Sequence, residues 1–85
     1  MAQKTLNVLV VEDEPLVRAL LKSLLEAEGF NTKAASNSAE ARSAIKDFVP
    51  DVAVLDIELG DGPSGIDLAH IFRMELPRIG LVFLT

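Results

Sequence analysis

The chain has no cysteine, which excludes disulfides, zinc thiolate sites and thiol catalysis together. Basic clusters are missing as well. With eight Lys and Arg against thirteen Asp and Glu, the formal net charge is -5. A general nucleic-acid surface, which works by counterion release from clustered cations, is therefore not expected. Long apolar runs are also absent. The first one, Leu6–Val11, is six residues, too short for a signal h-region or a membrane span, and the polar Met1–Thr5 leads straight into it. The expectation is a cytoplasmic chain without membrane contact. No repeat, linker or low-complexity segment interrupts the 85 residues, so residues 1–85 are expected to be one domain, small for a layered α/β protein. What is present, 49% hydrophobic and 25% charged residues, is the composition of a globular fold.

The chain is organised around Val52–Asp56, an apolar run V-A-V-L-D that stops on a carboxylate, with Pro50 before it and Gly60, Gly62 and Pro63 after it. Such a run reads as a buried parallel strand. Leu6–Val11 ends the same way, on Glu12, Asp13 and Glu14. Between the two, Pro15 suits a first helical turn, where its missing N–H leaves no bond unmade. A helix is expected from there to about Glu28. Val17, Leu20, Leu21, Leu24 and Leu25 would form its sheet-facing stripe, and Gly29 a left-handed cap. Phe30–Ala35 is a weaker strand, marked as an edge by Asn31, Thr32 and Lys33.

Asn37 and Glu40 stand at capping-box spacing and open a second helix near Ser38, with Ala41, Ala44, Ile45 and Phe48 inward and Pro50 as its end. Ser64 and Asp67 repeat that spacing before a third helix whose inward face is Leu68, Ala69, Phe72 and Leu76. After Pro77, Ile79–Leu84 reads as a fourth strand, with Leu81–Leu84 as strand core. The order β-α-β-α-β-α-β implies right-handed crossovers and an all-parallel sheet.

In open α/β sheets ligands bind at the carboxyl edge of the strands. If the first and third strands are neighbours, Glu12, Asp13 and Asp56 converge there. Two like charges about 4 Å apart repel by roughly 4 kcal/mol at an effective dielectric near 20, so a proton or a cation is needed. An oxygen-bound divalent ion, Mg²⁺, fits best. Taken alone, Asp56 is an ordinary strand-end turn residue. Two acid-bearing strand ends in one small sheet are not ordinary.

V-V-E-D-E-P after the first strand, V-L-D ending the third, G-I-D-L opening the third helix and a fourth strand closing on Thr resemble the receiver domain of two-component response regulators. The resemblance spans the whole chain but about the first two-thirds of such a domain. It implies a flavodoxin-like sheet of order 2-1-3-4, lacking the usual fifth strand and last two helices. It also implies that Asp56 is the phosphoacceptor, Asp13 a direct Mg²⁺ ligand, Glu12 an acid holding the ion through water, Glu58 a main-chain carbonyl ligand and Thr85 the switch hydroxyl. Partners implied are a histidine kinase or phosphotransfer protein and an output domain or effector, with no direct nucleic-acid contact from this segment. The module is not an enzyme; it assists only its own phosphorylation.

Three departures stand out. Receivers more often carry Asp at the position of Glu12. They usually have Pro four residues after the acceptor and Gly about eight after it, whereas Gly60 takes the first place and Gly65 falls nine on. The fifth-strand Lys and aromatic have no counterpart either. The chain is thus expected to be a fragment that holds metal but switches poorly, and to self-associate through its free fourth strand. A Mg²⁺-dependent phosphotransferase or phosphatase of haloacid dehalogenase type is a competing reading, but it wants a second Asp where Glu58 stands. A third is a non-phosphorylated interaction domain of receiver fold. His70, on the third helix, reads as a structural or solvated histidine. Arg18 and Lys22 follow Glu14 at helical spacing and read as weak surface pairs.

Overall fold

Short apolar runs bounded by proline, glycine and acids pair as strands, and the longer 3.6-period segments between them coil as helices. The structure, a computed structural model, describes residues 5–60 and 62–84. The elements are β1 (Asn7–Val11), α1 (Pro15–Ala27), β2 (Asn31–Ala35), α2 (Ser38–Ala44), β3 (Val52–Asp56), α3 (Gly65–Glu75) and β4 (Gly80–Leu84). All strand pairs are parallel, in the order β2-β1-β3-β4. This is the flavodoxin-like receiver arrangement expected, with β2 as one edge and β4 as the other.

Helix boundaries follow local chemistry. Pro15 is the first residue of α1, and Gly29, at φ 95°, ends it in the left-handed region. Ser64 and Asp67 form the full capping box of α3. Only half of the box forms at α2. The Asn37 side chain accepts from the Glu40 N–H at 2.8 Å, but the Glu40 carboxylate turns back to the Ser36 N–H at 2.8 Å and the Ser36 hydroxyl at 2.7 Å. Helix α2 is also shorter than its sequence span, because Ile45–Asp47 continue as a turn. Ile45 and Phe48 still pack against the core from there.

The main core cluster lies on one face of the sheet, while Val8 and Val10 of β1 are buried on the other. Leu9, Val11, Ala35, Ala53 and Leu55 meet Ala41 and Ala44 of α2 and Leu68, Ala69 and Phe72 of α3, and each large side chain so buried contributes about 1.5–3 kcal/mol. On the other face α1 is the only helix among the described residues, lying over β1 and β2. Two expectations need correction there. Helix α1 buries none of its residues, and Val17, Leu20 and Leu24 are exposed while Leu21 and Leu25 are half-buried. One helix on a twisted sheet covers only the strands beneath it, so the flanks of a wide apolar stripe stay open. Likewise Leu81–Leu84 is strand core only in part: Leu81 packs against the core, but Val82 and Phe83 on β4 are exposed.

Candidate metal centre at the strand tips

Strands β1 and β3 are hydrogen-bonded neighbours with Val11 opposite Leu55. The residues that follow therefore emerge side by side at the same edge of the sheet. Ligand oxygens of Glu12, Asp13 and Asp56 all lie within 4.8 Å of one another. Glu12 is 6% exposed, Asp56 half-buried and Asp13 exposed. The convergence expected of the two acid-bearing strand ends is present.

Backbone bonds place each acid. The Glu12 N–H donates to the Ala35 carbonyl at 3.1 Å, which extends the β1–β2 ladder by one residue and draws Glu12 into the sheet. Its carboxylate accepts from the Glu14 N–H at 3.0 Å. Burial raises the Glu12 pKa above its ordinary value, the Glu14 N–H opposes that, and the neighbouring Asp13 and Asp56 acids raise it further. Among the described residues no Lys or Arg side chain pairs with these three carboxylates. Asp56 accepts from the Glu58 N–H at 3.1 Å, an Asx-type turn that holds the carboxylate against its own loop.

The loop after Asp56 passes close to Asp13. Gly60, at φ 75°, lies where a Cβ would stand 3.5 Å from Asp13 Oδ2, and an L side chain would be strained there. Asp13, Asp56, Ile57, Glu58, Gly60 and Leu84 line an open depression of about 630 Å³. Three carboxylates beside a main-chain loop form an all-oxygen donor set, the chemistry of a hard divalent cation. The residues fit Mg²⁺.

Sequence reasoning missed Arg18 as part of this edge. Its guanidinium donates to the main-chain carbonyls of Glu12 at 3.0 Å and Asp13 at 3.4 Å, with no bond to Glu14. The sign was there, a cation one helical turn past a run of acids, but spacing alone does not distinguish a side-chain pair from a backbone one. Lys22 does make a surface pair, with Glu26 at 2.7 Å. Glu58 lines the depression with its side chain exposed. Thr85, expected as the switch hydroxyl, lies outside the described residues. His70 is exposed on α3, in an apolar groove with Ile66, Phe83 and others, and is not among the residues lining the acidic depression.

Comparison with known proteins gives a consistent result. The family model for the response regulator receiver domain matches residues 8–85. The probable transcriptional regulatory protein TcrX of Mycobacterium tuberculosis is 39% identical over 79 residues, covering 93% of this chain and 33% of TcrX. The aerobic respiration control protein ArcA of Escherichia coli is 37% identical over 82 residues, covering 96% of this chain and 34% of ArcA. The crystal structure of response regulator protein TrrA from Thermotoga maritima, in complex with Mg²⁺-BeF, matches with a TM-score of 0.87 at 36% identity, over 95% of this chain and 70% of TrrA. The chain spans about a third of the length of the curated relatives it matches.

Proposed function

The chain belongs to the response regulator receiver domain family, and from that premise we propose that residues 1–85 act as a phosphoacceptor unit using Asp56 and Mg²⁺. The family is one of signalling domains rather than classical enzymes. The observation that carries the proposal is the gathering of Glu12, Asp13 and Asp56 within 4.8 Å at two paired strand tips.

In this reading an Asp56 carboxylate oxygen forms the new bond to phosphorus as the bond from phosphorus to a nitrogen of a kinase phosphoimidazole, protonated at its other ring nitrogen, breaks, leaving an acyl phosphate on Asp56 and a neutral imidazole that keeps that proton on the donor. A carboxylate is a weak nucleophile toward a phosphoryl dianion, and Mg²⁺ when bound offsets that repulsion and orients the transferring oxygens. Asp13 would hold the ion directly, Glu12 through water and Glu58 through its main-chain carbonyl. The Glu58 N–H on Asp56 Oδ1 fixes the acceptor's orientation before the ion arrives. Thr85 would answer the new charge as the switch hydroxyl.

Partners are proposed on the same footing: a histidine kinase or phosphotransfer protein as donor and an output domain or effector as receiver of the signal. Support comes from the relatives, whose names speak of transcriptional regulation and respiration control, and from TrrA, solved with Mg²⁺-BeF. No helix among the described residues is long and apolar enough to cross a membrane, in keeping with the proposed cytoplasmic location. No Lys or Arg pairs with the three acids among the described residues. The ion would then be the main offset to the phosphoryl charge among the described groups.

The test is incubation with acetyl phosphate and Mg²⁺, read by intact mass, on this chain and on a version extended past Thr85. One phosphoryl adduct that needs Mg²⁺ and is lost in Asp56→Asn supports the proposal. No adduct on the extended chain would overturn it in favour of an unphosphorylated interaction domain.

A further inference from the structure

The first residue of α3 is a glycine for want of space, not of conformation. Gly65 is buried, and its φ lies outside the left-handed region. A Cβ built on it would overlap the Asp56 carbonyl oxygen and stand 2.9 Å from the Asp56 carbonyl carbon and 3.0 Å from Ile57 Cα. Every one of these neighbours is backbone, so no side-chain rotation relieves the overlap. The Gly65 N–H donates to the Ile57 carbonyl at 2.9 Å. The head of α3 is thereby seated directly on the peptide that joins Asp56 to Ile57.

The seat is held from the helix side too. The Ser64 hydroxyl accepts from the Asp67 N–H at 3.2 Å, and the Asp67 carboxylate accepts from the Ser64 N–H at 3.1 Å. The intervening loop is accommodated by positive φ at Gly60 and Gly62, so a loop one residue longer than the family's usual spacing still returns a glycine to the acceptor's backbone.

We propose that Gly65 is a positioning residue for the ion site: its missing side chain lets α3 clamp the Asp56–Ile57 peptide and so sets where the Asp56 carboxylate and the Glu58 carbonyl point. The inference rests on the Mg²⁺ reading above. Nonbonded carbons settle about 3.5–4.0 Å apart, so a methyl at position 65 displaces the strand tip or the helix by roughly 1 Å. Mg²⁺ demands near-octahedral geometry, whereas Ca²⁺ accepts six to eight oxygens in flexible arrangements. A misplaced strand tip therefore penalises Mg²⁺ more than Ca²⁺, while a fold that is merely less stable weakens both alike.

The experiment is calorimetric titration of the 85-residue chain with Mg²⁺ and separately with Ca²⁺, for wild type, Gly65→Ala and Ser64→Ala, with circular dichroism as the check on folding. Expected for Gly65→Ala is a Mg²⁺ affinity lower by roughly 10-fold or more with Ca²⁺ affinity changed by less than about 3-fold. Ser64→Ala, which loosens the seat without a clash, shifts the ratio the same way by about 2-fold. If Gly65→Ala does not fold, Ser64→Ala decides alone. Equal loss of both ions, or no change in their ratio, overturns the proposal and leaves the ion site standing. Failure of the wild type to bind either ion removes the Mg²⁺ reading and this inference with it.

Discussion

Glu12 bears most of the electrostatic penalty of the site, because it is the acid taken furthest out of water. Its folded-state pKa lies above the ordinary 4.5, from burial first and neighbouring acids after it. The folded state thus holds this proton more tightly than the unfolded chain does. The stabilisation is fully present below 4.5 and is lost as pH rises through the folded value. Metal-free protein is expected to show this gain in urea midpoint on acidification, followed by circular dichroism, and Glu12→Gln to abolish it. Under the proposed role of Glu12, holding the ion through water, the same substitution should weaken Mg²⁺ binding by roughly 10- to 100-fold. Glu40 runs in the opposite sense: bonds from Ser36 lower its pKa, so its contribution is lost as pH falls through the folded value. Arg18 is a different case, since its bonds go to main-chain carbonyls. Arg18→Met is expected to cost about 1 kcal/mol in urea denaturation, and Arg18→Lys less, because both bonds come from one nitrogen and an ammonium can still donate to the carbonyls.

Helices α1 and α3 show how the same periodicity leads to different burial. Helix α3 lies on the face shared with α2, and Phe72 is fully buried there. Phe72→Ala is expected to cost about 3–5 kcal/mol, enough to unfold much of a domain this small. Helix α1 carries the more pronounced leucine stripe, yet Leu20 is 58% exposed. Leu20→Gln should therefore change stability by no more than about 0.5 kcal/mol. Chemical denaturation of the two variants side by side separates the readings, and a large loss at Leu20 would mean that the helix is covered in solution.

At the scale of the whole molecule, the edges and the ion decide behaviour. Strand β4 has no further strand beside it among the described residues, and Val82 and Phe83 are exposed on it. Such an edge pairs readily with another chain. Concentration-dependent association is expected in sedimentation velocity and should be suppressed by Val82→Lys; a monomer at all concentrations would refute it. Because Mg²⁺ would bind only the folded chain, ion at 100 times its dissociation constant should add about 2.7 kcal/mol of stability. Asp13→Asn should erase that increment in thermal melts.

Strand identity, helix starts and the acids at the strand ends were legible in the residues, because each rests on local chemistry: a run of β-branched side chains, a proline or Ser at a helix head, an Asp where a run stops. Parallel order and right-handed crossovers then left few ways to arrange four strands, and the acids met as a result. Tertiary structure alone decided what covers what. The stripe of α1 remains half open because burial depends on neighbours that periodicity does not name. Arg18 bonds to carbonyls rather than to an acid because backbone placement, not spacing, set its partner. Gly65 reads in the chain as the residue that opens the third helix, and only the packing of α3 against the Asp56 peptide shows that there is no room for a methyl group.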